Sequence, residues 1–220
     1  CTLLTVGRVL GAGAQTPGQP GSGTATPEAK PAPGPQPDSS SRVRVPGPKD
    51  ARRVLAYVVE NREHLAPWEP ERAEAYFTLP FWKAELRNAR RESRSGTALR
   101  LVLLQRADPE GAVAGIVNLR HVIRGALFGA ILSYSLDGRL TGRGLMTEAL
   151  EAVTAHAFGP MGLHRLEASH LPENERSASV LRRLGFEKVG FAPDYLRIAG
   201  RWRDHVLTAR VHPGWRPTSA

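Results

Sequence analysis

The spacing of apolar residues along the chain predicts the order of its helices and strands. Apolar residues at helical spacing, with Asp50 as a helix N-cap and Gly185 as a C-terminal stop, predict helices over 50–61, 73–94, 145–158 and 172–185. Alternating or continuous apolar runs predict strands over 42–45, 99–104, 113–122, 126–136, 164–170, 191–198 and 202–211. Turns are expected at 107–111 and 123–125, and a proline-containing loop at 61–70. The order βααβββαβαββ is typical of a mixed sheet with flanking helices.

The N-terminal part of the chain differs from the rest in composition. Residues 15–41 are rich in proline, glycine, serine and threonine, with almost nothing that a core could bury. Such a segment cannot offset the entropy lost on folding. We therefore expect a disordered tail over residues 1–41 and one folded domain over residues 42–220, which begins with an edge strand.

Charge and cysteine content narrow the classes of protein to consider. The formal net charge is +9, and only four of the 30 basic residues are lysine. Polyanions such as RNA, a ribosomal surface or a phosphate-bearing coenzyme are therefore candidate partners, although abundant arginine is also typical of GC-rich genomes. The single cysteine, Cys1, excludes an internal disulfide and a cysteine-built metal site. A single cysteine is typical of a reducing compartment, and no apolar run approaches the roughly 18 residues that a membrane span needs. Together these features predict a cytoplasmic protein.

A glycine-containing turn at residues 139–144 separates a predicted strand from a predicted helix. Gly142 and Gly144 permit a tight turn and leave backbone amides uncovered. The helix that follows directs its N-terminal amides and its dipole to the same place, and Arg139 and Arg143 add positive charge. The pattern predicts a site for phosphate or pyrophosphate, with tight packing as the alternative. It does not match the loop of nucleoside triphosphatases or the dinucleotide fingerprint.

These residues resemble the signature of the GNAT superfamily of N-acetyltransferases, an Arg/Gln-x-x-Gly-x-Gly/Ala loop that Arg139, Gly142 and Gly144 match in place. Further blocks are similar to the ribosomal-protein-alanine N-acetyltransferases of the RimJ/RimL group, and to its RimJ branch in particular. These blocks lie at 60–70, 144–150, 174–177, 184–190 and 194–209. The resemblance covers residues 42–216. Leu140 departs from it, since related sequences often carry an aromatic residue there.

The resemblance implies both a fold and an activity. The fold is α+β (mixed α/β), with a mostly antiparallel central sheet that is splayed at the coenzyme site and flanked by helices. The activity is transfer of the acetyl group of acetyl-CoA, as co-substrate and without a metal, to the N-terminal α-amine of a protein by direct attack in a ternary complex. The expected acceptor is a ribosomal protein, with association with the ribosome and without a membrane or sequence-specific DNA as partner.

The same resemblance assigns the coenzyme to the turn and to the elements around it. The residues assigned to the coenzyme are Leu136, Arg139, Thr141, Gly142, Arg143, Gly144, Leu145, Met146, Asn174 and Ser177. The splayed strand, over residues 132–136, supplies an amide that polarises the thioester carbonyl. For Asn174 a plain helix N-cap is an alternative or additional role.

Acetyl transfer also requires that the amine lose a proton and that the departing thiolate gain one. A peptide α-amine has a pKa of about 7.7–8.0 and needs only a weak base. By resemblance Asp194 is the candidate base, with an ordinary strand-entry acid as the alternative. Ser177 is the candidate acid, with water as the alternative. Acceptor recognition is assigned to four residues that each also have a structural alternative: Trp68, Glu69, Tyr134 and Glu148.

Two other functions fit parts of the sequence. An enzyme of this superfamily can act on a small-molecule amine instead, because the site and not the fold determines the acceptor. A basic ribosome- or RNA-binding assembly factor with secondary catalysis is the other alternative, although no RNA-reading aromatic motif is present. The cations that motivate it are Arg87, Arg90, Arg91, Arg94, Arg182 and Arg183. His164 and His170 share a strand face without a third ligand, so no metal site is expected.

Overall fold

The computed structural model describes residues 41–105 and 111–216. The predicted tail up to residue 40, and the predicted turn at 107–111 apart from Gly111, lie outside these residues. The strands are β1 (Ser41–Arg44), β2 (Leu99–Gln105), β3 (Val113–Ile123), β4 (Gly129–Leu136), β5 (Arg165–His170), β6 (Glu187–Ile198) and β7 (Arg201–Val211). The helices are α1 (Ala51–Glu60), α2 (Arg62–Leu65), α3 (Leu79–Ser95), α4 (Leu145–Phe158) and α5 (Glu175–Arg183). Short 3-10 turns occur at Pro48–Asp50, Glu74–Phe77 and Gly138–Leu140.

The strands form one sheet in the order β1-β2-β3-β4-β5-β7-β6. Within the described chain, β4 and β5 are the one parallel pair, and the other neighbours are antiparallel. The parallel pairing is short, because it joins Gly129, Ala130 and Ile131 to the first three residues of β5. Beyond Ile131, β4 continues beside β3 as far as Leu136. The expected mostly antiparallel sheet, splayed at one strand, is confirmed.

Helices cover both faces of the sheet. Helices α4 and α5 pack on the face to which Leu101 and Leu103 of β2 belong, and α1 and α3 pack on the face of Val102 and Leu104. Because successive side chains of a strand point to opposite faces, β2 is buried on both sides. This explains its nearly continuous apolar sequence. Burial of each such side chain contributes about 1.5–3 kcal/mol, which makes the centre of the sheet a firm support for the site.

Helix α3 begins later than the predicted span of 73–94, at Leu79, and it ends at Ser95. Residues 74–77 form a 3-10 turn instead, and Thr78 is extended. Pro80 explains the difference, since proline fits only the first turn of an α-helix. Gly96, in the left-handed conformation with φ of 69°, terminates the helix.

Three further predictions needed correction. Asp50 occupies the N-cap position of α1 without a capping hydrogen bond, because its carboxylate is bound by Arg44 and by the amide of Gly47. The strand predicted from residue 126 starts at Gly129, since Phe128 has a positive φ that extended pairing does not allow. The strand predicted from residue 191 starts at Glu187, because a bulge near Gly190 interrupts the alternation of side chains. No helix among the described residues is long and apolar enough to cross a membrane.

Candidate active site

The predicted phosphate-binding turn lies between the end of β4 and the start of α4. Gly142 and Gly144 both have φ of 78°, and Gly144 is the N-cap residue of α4. A Cβ atom added at either glycine would meet no atom within 4 Å in the described chain. Side-chain crowding therefore does not explain the glycines. The left-handed backbone explains them, and it leaves open space above the turn.

The backbone amides of this turn are available to a ligand. The first hydrogen bond of α4 runs from the amide of Glu148 to the carbonyl of Gly144. Among the described residues, the amides of residues 141–147 have no protein acceptor. Arg143 is exposed and forms no ion pair in that same part of the chain. A row of amides at a helix N-terminus, beside an arginine, is suited to a pyrophosphate.

The splayed part of β4 is joined to the start of α5 by side chains. Tyr134 and Ser177 are hydrogen-bonded through their hydroxyl oxygens, at 2.8 Å. Burial raises the pKa of Tyr134 to about 12, so its hydroxyl stays protonated at neutral pH. Asn174 accepts a hydrogen bond from the amide of Ser177 at 3.0 Å, as a helix N-cap does. The structure therefore brings three of the predicted site residues together where β4 has separated from β5.

Arg139 is held by carboxylates and does not direct its charge into the turn. Its guanidinium donates to Asp137 at 2.6 Å and to Glu60 at 2.8 Å, and these bonds raise the pKa of Arg139. The hydrogen bonds from Arg139 lower the pKa of Asp137 to about 2, so this carboxylate is ionised at neutral pH. The positive charge expected from Arg139 is thus compensated within the protein, and Arg143 remains as the cation of the turn.

A pocket of about 690 Å³ lies on the α1/α3 side of β4. Its wall includes Tyr57 of α1 and Ser135 of β4, and the Tyr57 hydroxyl donates to Ser135 at 2.9 Å. Glu69, predicted to contact the acceptor, also lies in this wall. The turn between β6 and β7 closes another side, where the amide of Ala199 donates to the carbonyl of Glu69 at 3.1 Å.

Each arginine of the pocket wall forms an ion pair with a glutamate. Three arginines of the wall each contact a glutamate, in the pairs Arg62–Glu74 (2.8 Å), Arg72–Glu69 (3.1 Å) and Arg197–Glu71 (3.5 Å). The aromatic rings of Phe77 and Tyr76 add apolar surface to the wall. The guanidinium of Arg62 lies over the ring of Phe77, and that of Arg72 lies over the ring of Tyr76. The pocket therefore offers a polar but balanced surface beside the splayed strand.

The fold and the turn match a known family. The Acetyltransferase (GNAT) domain family matches residues 42–187. The chain is also 42% identical, over 176 residues, to the ribosomal protein uS5 alanine N-acetyltransferase of Escherichia coli (strain K12), with 80% of this chain and 89% of that protein covered. The chain belongs to the GNAT acetyltransferases. Its activity is therefore acetyl-CoA-dependent N-acetylation, and the predicted membership is confirmed.

Solved GNAT structures have the same fold. A ribosomal-protein-S5-alanine acetyltransferase from Vibrio fischeri has a TM-score of 0.78 at 36% identity, with 81% of this chain and 96% of that chain covered. Mycobacterium smegmatis RimJ, solved in complex with CoA-disulfide, has a TM-score of 0.72 at 32% identity, with 78% and 81% covered. The backbone amides that have no protein acceptor among the described residues, and the open space above Gly142 and Gly144, fit such a coenzyme.

Other predicted site residues of this GNAT chain lie apart from the pocket. Asp194 is an exposed residue at a bulge of β6 with φ of 46°, and its amide donates to Asp204 at 2.9 Å. Trp68 is 39% exposed, which contradicts a role as a buried packing residue. Glu148 lies in the first turn of α4, half-buried. No group of three potential metal ligands is present in the described ranges.

Sequence reasoning missed several residues of the candidate site. Asp137 and Asn61 are buried polar residues beside the turn, each 4% exposed. The Asp-Gly pair that directly follows a predicted strand was a local signal for Asp137, but nothing in the sequence indicates that Asn61 is its partner. Tyr57 and Ser135 were missed because each is an ordinary member of a helical or strand pattern. They contact across a sequence separation of 78 residues.

Proposed function

We propose that this acetyltransferase modifies the N-terminal α-amine of a ribosomal protein, and that the pocket beside β4 receives that N-terminus. The observation that carries the proposal is that one strand serves both places: Ser135 lies in the pocket wall, and its neighbour Tyr134 contacts Ser177. The E. coli relative is named for an alanine of ribosomal protein uS5. A volume of about 690 Å³ suits the end of a chain more than a folded surface.

The coenzyme side of the site is assigned to the turn and to the splayed strand. The amides of residues 141–147, with Arg143, bind the pyrophosphate. When bound, acetyl-CoA supplies an acetyl group that is activated as a thioester. An amide of residues 132–136 stabilises the negative charge that develops on the carbonyl oxygen. Asn174 fixes the start of α5 and so places the hydroxyl of Ser177 near the sulfur.

The transfer is proposed as one direct step with both substrates bound. The amine nitrogen forms a bond to the acetyl carbon, the carbon–sulfur bond breaks, and its electron pair stays on the sulfur. The proton of the amine leaves through water to Asp194, and the thiolate takes a proton from Ser177 or from water. Because an α-amine has a pKa of about 7.7–8.0 and a lysine one of about 10.4, a distant weak base favours the chain end.

Peptide acetylation followed by mass spectrometry tests the acceptor. We expect acetyl-CoA to modify a peptide that begins with alanine, and to leave the same peptide unmodified when its N-terminus is blocked and an internal lysine is free. Rapid acetylation of a polyamine or an aminoglycoside, with none of the peptide, would contradict the proposal and favour a small-molecule acceptor.

The Asp194→Asn variant tests the proposed base in the same assay. Asparagine accepts the left-handed backbone of this position, so the fold is preserved. We expect turnover to fall by about a hundredfold, as removal of a general base does, with coenzyme affinity within twofold of wild type. Unchanged turnover would remove Asp194 from the mechanism.

The Ser177→Ala variant tests the proposed acid in the same assay. A loss of turnover of tenfold or more assigns the acid to Ser177, and a smaller loss assigns it to water.

The outer face of α3 supports association with the ribosome through RNA. Its two glutamates, Glu85 and Glu92, both contact Arg100 of the sheet. The exposed face is left with five cations and no ion pair within the described residues: Lys83, Arg87, Arg90, Arg91 and Arg94. Like charges four residues apart destabilise a helix. We propose that phosphates of RNA neutralise this face while the acceptor protein is modified.

A further inference from the structure

A buried polar network joins the predicted phosphate-binding turn at residues 139–144, called the coenzyme turn below, to the pocket. Asp137 accepts hydrogen bonds from the backbone amide of Arg139 at 2.8 Å and from its guanidinium at 2.6 and 3.0 Å. It also accepts a longer bond, of 3.4 Å, from the side chain of Asn61. The amide of Asp137 itself donates to the carbonyl of Ala114 in β3. The carboxylate thus fixes the first residues of the turn to the sheet.

Asn61 extends the same network to the acceptor side. Its side-chain oxygen accepts from the amide of Gly138 at 3.0 Å, and its side-chain nitrogen donates to the carbonyl of Tyr57 at 3.0 Å. Tyr57 lies in the pocket wall, and Arg62, the residue after Asn61, lies there too. The buried side-chain amide of Asn61 therefore contacts Gly138, directly before the coenzyme turn, and Tyr57 of the pocket wall.

We infer that Asp137 and Asn61 are positioning residues that hold the coenzyme turn in register with the acceptor pocket. They act through the turn, because neither lies among the amides assigned to the pyrophosphate. The carboxylate is required at residue 137: three N–H groups of Arg139 converge on it, and an amide in its place presents hydrogen atoms to some of these donors. Without it the turn loses its anchor, and the amides of 141–147 no longer keep one arrangement.

The chain provides a matched control for this inference. Asp50 is also a buried carboxylate, 2% exposed, and it is bound by the guanidinium of Arg44 and the amide of Gly47. Its pKa is lowered to about 2, mainly by the hydrogen bonds from Arg44, as the pKa of Asp137 is by Arg139. Asp50 holds β1 to α1 and contacts no part of the coenzyme turn. Asp137→Asn and Asp50→Asn therefore remove the same kind of group from different places.

The test measures CoA affinity by titration calorimetry and the KM for the alanine peptide, in both variants and in wild type. The inference rests on the proposed coenzyme site, so CoA binding to wild type is measured first, and its absence would refute that site. We expect Asp137→Asn to weaken CoA binding about tenfold, or about 1.4 kcal/mol, and to raise the peptide KM at least threefold. Asp50→Asn should leave both within twofold while it lowers the melting temperature.

Two results would overturn the inference. One is CoA affinity of Asp137→Asn within twofold of wild type, and the other is an equal loss in Asp50→Asn, which would mean general destabilisation. If Asp137→Asn does not fold, Asn61→Ala takes its place, with an expected threefold loss of CoA affinity and the same rise in peptide KM. If Asn61→Ala changes neither the CoA affinity nor the peptide KM, the inference is overturned as well.

Discussion

The role of Gly142 in binding can be distinguished from its role in folding by comparison with a second glycine that has the same left-handed backbone. Gly96, at the end of α3, has a similar φ of 69°, and the space that a Cβ would take there is equally free of described atoms. An aspartate at either position costs about 1–2 kcal/mol of backbone strain. Only at Gly142 does it also place a negative charge in the proposed pyrophosphate site.

We therefore expect Gly142→Asp to lose CoA affinity at least tenfold and Gly96→Asp to retain it within twofold, with similar losses of thermal stability. Thermal unfolding with and without CoA measures both effects. A CoA-induced rise in melting temperature that is equal in the two variants would show that the turn does not bind the coenzyme.

At this scale the sequence predicted contacts that are local and missed those that are distant. The glycines of the turn, and the capping of α5 by Asn174, depend on neighbours within a few residues. The bonds of Asp137 to Asn61 and of Tyr57 to Ser135 span 76 and 78 residues. No spacing rule reaches across such distances, because the sheet order decides which strands and helices become neighbours.

At the scale of elements, Asp50 joins β1 to the start of α1. Hydrogen bonds from Arg44 lower the pKa of Asp50 from 3.8 to about 2. Because the folded state has the lower pKa, this contribution is present above about pH 4 and is lost as the pH falls through about 2. The expected size is about 2 kcal/mol.

We expect Asp50→Asn to be less stable than wild type by about this amount at pH 5, with a difference that shrinks towards pH 2. Urea unfolding at a series of pH values measures it. A difference that stays constant with pH would show that the Asp50 carboxylate is not stabilised in the folded protein.

The elements were predictable where one physical signal dominated. The apolar pattern located α1, α4 and all seven strands, apart from the starts of β4 and β6. The start of α3 was wrong because the apolar residues before Pro80 continue the helical spacing, although the backbone cannot. The cap at Asp50 was wrong for a different reason: a guanidinium from β1 competes for the carboxylate, and this competition is a tertiary effect.

At the scale of the whole molecule, net charge and its distribution govern the proposed RNA contact. Replacing Arg87, Arg91 and Arg94 by glutamine removes three charges from the outer face of α3. Replacing Arg52, Arg124 and Arg201, which are also exposed, removes three elsewhere. We expect the first triple variant to lower the salt dependence of RNA binding by two to three, at roughly 0.7–0.9 per phosphate contact, and the second to leave it nearly unchanged.

Filter binding of a structured RNA at several salt concentrations gives these slopes. Equal slopes in the two triple variants would mean that the net charge of the chain, and not α3, attracts RNA.

The overall fold class was predicted from the family resemblance. The position of the pocket was not, since it depends on how the turn between β6 and β7 meets the loop near Glu69.

The separation of β4 from β5 has a geometric consequence for the reaction. Tyr134 and Ser135 are adjacent, so their side chains emerge on opposite faces of the sheet, one towards Ser177 and the other into the pocket. An intact sheet would be a wall between an amine on one face and a thioester on the other. Beyond Ile131, where β5 no longer pairs with β4, the sheet is open. In the proposed arrangement the amine and the thioester therefore meet through this opening in the sheet, and a strand that closed it would keep the two bound substrates apart.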